Sequence, residues 1–206
     1  KLFLYLLLCF WPLILTAQPD QATSLKVSYA NDFFTGTDRY FTQGIRIELF
    51  ARAFRKTPVR LLGTLFRENN SASYSLALQQ DGYTPTSIQR DTLLNHDRPF
   101  CGSLFITNSE YIVFEKRKLM LHSQLSLGAI GPLALGYEEQ TAIHKAINNV
   151  LPRGWKNEIQ NDLILNYKLE IQQTMIHHKF LDLIHCSQIR AGTLFTDLGI
   201  GGEIRA

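Results

Sequence analysis

Gln140 and His144 stand four residues apart in Glu139-Gln140-Thr141-Ala142-Ile143-His144-Lys145. This stretch reads as a helix, and on a helix that spacing puts both side chains on one face. Histidine is the side chain whose ordinary charge change falls near neutral pH, so His144 is a candidate general base. A short polar helix could also cap or plug a sheet and carry its histidine incidentally. The two readings part on whether other polar residues gather round it.

The surrounding elements read as strands. Apolar and polar residues alternate over 25–30, 40–52, 73–80, 100–114, 119–127, 162–175, 184–195 and 198–206. In the second run Ile45, Ile47 and Leu49 share one face while Arg46 and Glu48 share the other. Charged residues inside a strand need a wet face. Strands this long, joined by alternately long and short connections, suit an antiparallel outer-membrane β-barrel. A soluble antiparallel sandwich or barrel has the same alternation, with shorter strands as a rule.

Strand counting puts the loops at 31–40, 81–98, 128–157 and 196–198 on one rim, and the turns at 53–72, 115–118 and 177–182 on the other. Asn31, Asp32, Thr42, Arg98, Gln140 and His144 therefore converge on one end of the sheet, as a site requires. This topology predicts a helix over 138–148 lying over or into the barrel mouth, with His144 turned toward Asn31 and Asp32.

Composition narrows the class. The 206 residues suffice for one domain, and the net charge of +3 gives no reason to expect nucleic acid. Residues 1–17 have a basic start, an apolar core interrupted by Pro12, and a small residue at Ala17, the layout of a secretory signal peptide. The barrel domain is expected over 18–206. The alternation stops in mid-strand after Arg205, which predicts further strands beyond Ala206. Cys9 falls in the leader. Cys101 is expected at one rim and Cys186 at the other, about 30 Å of hydrocarbon apart, so both are predicted to be free thiols.

Six motifs occur in order: Tyr29-Ala30-Asn31-Asp32, Asp38-Arg39-Tyr40-Phe41-Thr42-Gln43-Gly44, Asp97-Arg98-Pro99-Phe100-Cys101-Gly102, Gly128-Ala129-Ile130-Gly131-Pro132, Gln140-Thr141-Ala142-Ile143-His144-Lys145 and Gly154-Trp155. Together they resemble the lipid A 3'-O-deacylase family of Gram-negative outer membranes. The resemblance implies a twelve-stranded barrel, of which this chain carries about eight strands. It implies a monomer in the outer membrane, a calcium-dependent site at the outer rim, and hydrolysis of the 3'-linked acyloxyacyl group of lipid A, the lipid anchor of lipopolysaccharide. The family's site falls on Asn31, Asp32, Thr42, Gln140 and His144. Phe41 replaces the usual Tyr, and Phe100-Cys101 replaces Tyr-Ala. A lysine and a glutamate of the family's site have no clear counterparts.

On that resemblance Asp32 is a hard oxygen ligand suited to calcium, which polarises an ester carbonyl. Asn31 donates to the oxyanion or ligates through its amide oxygen. Thr42 and Gln140 orient His144 or contact substrate. Arg98 and Lys145 meet lipid A phosphates, or are solvated rim charges. Gly-x-Ser-x-Gly is absent, which favours direct attack by water. The alternatives are an outer-membrane phospholipid hydrolase and a non-enzymatic barrel, a pore or adhesin.

Overall fold

The computed structural model describes residues 23–32, 40–56, 59, 71–93 and 96–206. The expected leader, 1–17, lies outside them. Eight strands follow one another in a single antiparallel sheet in chain order. They are β1 (Ser24–Asn31), β2 (Tyr40–Phe50), β3 (Ser71–Thr84), β4 (Cys101–Phe114), β5 (Leu119–Ile130), β6 (Asp162–His178), β7 (Leu181–Gly192) and β8 (Asp197–Arg205). The one α-helix among the described residues, α1, spans Gly136–Ala146 in the connection between β5 and β6. Short 3-10 turns occupy Arg52–Lys56, Glu115–Arg117, Pro132–Ala134 and Gly154–Asn157.

The alternation sorts the sheet into two faces. Val27, Ile47, Leu78, Ile106, Leu127 and Leu165 are register partners across six strands. All six are exposed, Ile106 by 51% and Leu127 by 56%. A continuous exposed apolar belt is costly in water and suited to lipid. It decides against a soluble sandwich. No described helix is long and apolar enough to cross a membrane.

The opposite face is polar and concave. Arg46 donates to Glu48 and to Gln79 (2.9 Å), and Ser75 donates to Glu48 (2.6 Å). Lys168 and Gln172 donate to Glu170 at 2.9 and 2.7 Å, while the His122 ring stacks on Tyr111. Nearer the rim, Gln79, Asp81, Ser103, Gln124, Asn166 and Arg190 line a hollow of about 310 Å³. Charges in this face are paired or hydrogen-bonded to one another, as a low-dielectric wall demands.

All eight strands appear where alternation placed them, with different ends. β3 runs on to Thr84 and β5 to Ile130. β6 continues to His178 and β7 begins at Leu181, so the expected turn at 177–182 contracts to two residues. The His177–Asp182 side-chain pair, 2.6 Å apart, bridges this hairpin. β7 therefore starts earlier than expected. Cys186 consequently stands in mid-strand, opposite Gln172 and Gly201, and not at a rim. Cys101 and Cys186 are both free, as expected.

Candidate functional site

The helix is fixed by close backbone approach. Gly131 turns the chain at φ +97°, and its N–H donates to the Gly102 carbonyl (2.8 Å). A Cβ on Gly102 would come within 3.1 Å of Ala134 Cβ and 3.2 Å of Gly136 N. A Cβ on Gly136 would meet the Trp155 ring at 2.5 Å. Gln80 Nε2 donates to the Ala134 carbonyl, and Trp155 packs on Phe100 with ring centroids 5.0 Å apart. The two glycines let α1 lie directly on β4 while Trp155 holds it from the other side. Gly136→Ala is expected to overpack this seam at a cost of about 1–3 kcal/mol. Faster hydrogen exchange in 136–146, with the strands unchanged, is the measurement that checks it.

Strand alternation fixes which side of the wall α1 occupies. Gly102 shares its face with Ile106, and Gln80 shares its face with Leu78. Both belong to the apolar belt. The helix therefore rests on the outer surface of the wall, at the rim, and not over the polar hollow as the loop count suggested. Four residues separate Leu78 from Gly82, which places the seam roughly 13 Å from the belt along the strand.

The same row carries the candidate site of β1 and β2. Asn31, Gln43, Gly82 and Gly102 are successive register partners. Asn31 Nδ2 donates to Tyr29 Oη (3.0 Å), and Asp32 follows at the strand end. The register slips between Phe41 and Gln43, so Thr42 is the extra residue of a β-bulge. A Cβ on Gly82 would meet both Thr42 Cγ2 and Gln43 Cγ at 3.2 Å. The bulge thus turns Thr42 toward the same rim as Asn31, and Thr42 is buried there.

From α1, Gln140 and His144 both face inward and are buried. Gln140 Oε1 accepts from Trp155 Nε1 (2.7 Å). His144 Nδ1 lies 2.5 Å from the Val150 carbonyl. A carbonyl only accepts, so Nδ1 carries the proton and the lone pair sits on Nε2. Glu138 in the first turn and Lys145 in the last complement the helix dipole.

The candidate phosphate residues stand apart. Arg98 lies over the Tyr40 ring at 4.5 Å, beside the bulge, while Lys145 is exposed on α1. Asp97, which accepts from Thr86 N and Oγ1, is held below the usual carboxylate range by those bonds. Sequence reasoning missed Gln43, Gln80 and Glu139. Gln43 had a signal, its place between Thr42 and Gly44 in a motif. Burial pushes the Glu139 carboxyl up to about 7, opposed by the Gln43 amide and assisted by Asp81. Burial, with the charge of Glu138, lifts Glu158 to about 7 as well.

An antiparallel sheet with an apolar outer belt, a polar inner face and a helix-covered site at one rim defines an outer-membrane β-barrel. The family model for outer membrane protein LpxR matches residues 2–206, so the chain belongs to that family, the lipid A 3'-O-deacylases its motifs resemble. Among solved structures, LpxR from Salmonella typhimurium is similar, with a TM-score of 0.70 and 21% identity. The match covers 89% of this chain and 62% of that one, so the chain spans less than two thirds of that protein's length. No curated protein matches.

Proposed function

We propose that this chain hydrolyses the 3'-linked acyloxyacyl ester of lipid A in the outer membrane, reached through the leader 1–17 and acting as a monomer. One observation carries the reading. A histidine with its Nδ1 proton committed to the Val150 carbonyl sits on a helix pressed against the strand row that ends in Asn31. That tautomer leaves Nε2 to take a proton from water. Trp155 holds the Gln140 carboxamide oxygen, which aims the amide N–H groups away from the indole. The Asn31 and Thr42 side chains stand at the same rim and can bind the developing oxyanion or the ester.

Calcium suits the donors at this rim, which are oxygens: the Asp32 carboxylate, the Asn31 amide oxygen and the Thr42 hydroxyl. Among the described residues no three His, Cys, Asp or Glu cluster as a metal site. Asp32 and Asn31 would therefore hold the ion with help from main-chain carbonyls and water. When bound, the ion supplies Lewis-acid polarisation of the ester carbonyl. Arg98 and Lys145 are placed to meet the phosphates of the lipid head.

Mass spectrometry of lipid A from cells with and without the full-length protein tests the reading. Loss of the 3'-linked acyloxyacyl mass is the expected result. Unchanged lipid A with shortened phospholipids would point to a phospholipid hydrolase, and no change in either lipid to a barrel without enzymatic function.

A further inference from the structure

The chain that leaves α1 folds back on the helix through polar bonds and leaves its apolar side chains outside. Asn148 makes the reversal in the left-handed region, at φ +54°. Asn149 N–H donates to the His144 carbonyl (2.8 Å), and Val150 N–H donates to Asn149 Oδ1 (2.8 Å). The Val150 carbonyl accepts from His144 Nδ1. The backbone is thus satisfied against the helix end, while Ile147, Val150 and Leu151 are each between 42% and 49% exposed. Exposed apolar residues scattered singly are normal on a surface in water, but three large ones within five residues form a patch. Lys145 and Arg153, both exposed, flank it. Apolar side chains between cations suit a segment lying at a membrane surface, with hydrocarbon under the first and lipid phosphate beside the second.

The place of the patch says what covers it. α1 rests on the outer surface of the wall, with its seam roughly 13 Å from the apolar belt along the strand. Half the thickness of a hydrocarbon core is about 15 Å. The belt also continues toward the helix along β6. Leu163 is exposed on the same face as Leu165, and Leu133, exposed ahead of α1, donates its N–H to Asn161 Oδ1 at the start of that strand. Tyr137, exposed in the first turn of α1, is of the residue type enriched where hydrocarbon meets water.

We propose that Ile147, Val150 and Leu151 dip into the leaflet at this rim, so that the acyl chains of the surrounding lipid hold the loop 147–151 against the end of α1. The loop is then an extension of the lipid interface that the belt forms. Lipid that holds the loop also holds the Val150 carbonyl on the His144 ring and keeps Nε2 as the ring's acceptor. Only this last consequence rests on the deacylase reading.

Leu151→Trp in the full-length protein, reconstituted in phosphatidylcholine vesicles free of lipid A, tests it. Wild-type emission is subtracted, and Ile106→Trp in the belt sets the reference for a side chain deep in lipid. Acyl chains brominated close to the headgroup are expected to quench the Leu151→Trp emission more than chains brominated at the far end, and iodide in the buffer is expected to quench it little. Ile147→Trp should repeat the result, which guards against a single misfolded variant. Emission quenched by iodide and untouched by bromine would put the loop in water and overturn the proposal. Emission sheltered from both would put a protein partner or a second copy on the patch. Bromine quenching that disappears when a trace of lipid A is added would give the patch to the chains of a bound substrate. Either of these overturns the proposal as well. None of these readings needs turnover, so a quenched loop in a protein that leaves lipid A intact would retain the proposal and remove the deacylase reading.

Discussion

His144→Ala is expected to leave the sheet folded and to cut ester hydrolysis by roughly 10²–10⁴-fold, the usual worth of a positioned general base. The side chain is not part of the belt or the inner polar network, so its loss does not touch what holds the wall together. Its ring is fixed from one side by the Val150 carbonyl and carried by a helix whose seat is built from glycines and Trp155. Turnover of purified lipid A by the full-length variant, with circular dichroism as the folding control, is the measurement. Near-normal turnover would show that another group takes the proton.

Asp32→Ala is expected to lower turnover by roughly 10²–10³-fold, the scale of losing one element of oxyanion stabilisation. Excess chelator should reach a similar level in the wild type, and the two losses should not add, because both remove the same ion. Calorimetric titration with calcium gives a second readout, with binding expected in the wild type and absent in the variant. Full turnover in chelator would exclude the calcium mechanism. Calcium binding unaltered by Asp32→Ala would move the ion elsewhere.

The eight strands were legible because each has one face in lipid and one on a polar interior. Ile45, Ile47 and Leu49 against Arg46 and Glu48 is that division in five residues. Strand ends were less legible. Asp81-Gly82-Tyr83-Thr84 looks like loop by composition, yet it continues β3 because Gln79 donates to Asp81 (2.8 Å) and Gly82 pairs with Gly102. The bulge at Thr42 was hidden because one extra residue shifts the alternation without changing its character. The convergence of Asn31, Thr42, Gln140 and His144 on one rim followed from counting strands. The side of the wall did not, because residues with no side chain decide it. Gly102 and Gly136 are silent in any apolar pattern, and only contact reveals what they admit.

Seating α1 on the outside of the wall changes how a substrate arrives. An ester inside a barrel must be fed through an opening, and a lipid would have to leave its leaflet to reach it. A site on the lipid-facing side, roughly 13 Å from the belt and so near the edge of a hydrocarbon layer whose half-thickness is about 15 Å, is reached by sideways diffusion within the leaflet. For a lipid hydrolase so built, the quantity that sets the rate is the mole fraction of substrate in the surrounding film, not its amount per volume of buffer. Adding inert detergent at constant total lipid A should then slow the reaction, while diluting the whole suspension should leave the turnover of each protein molecule unchanged.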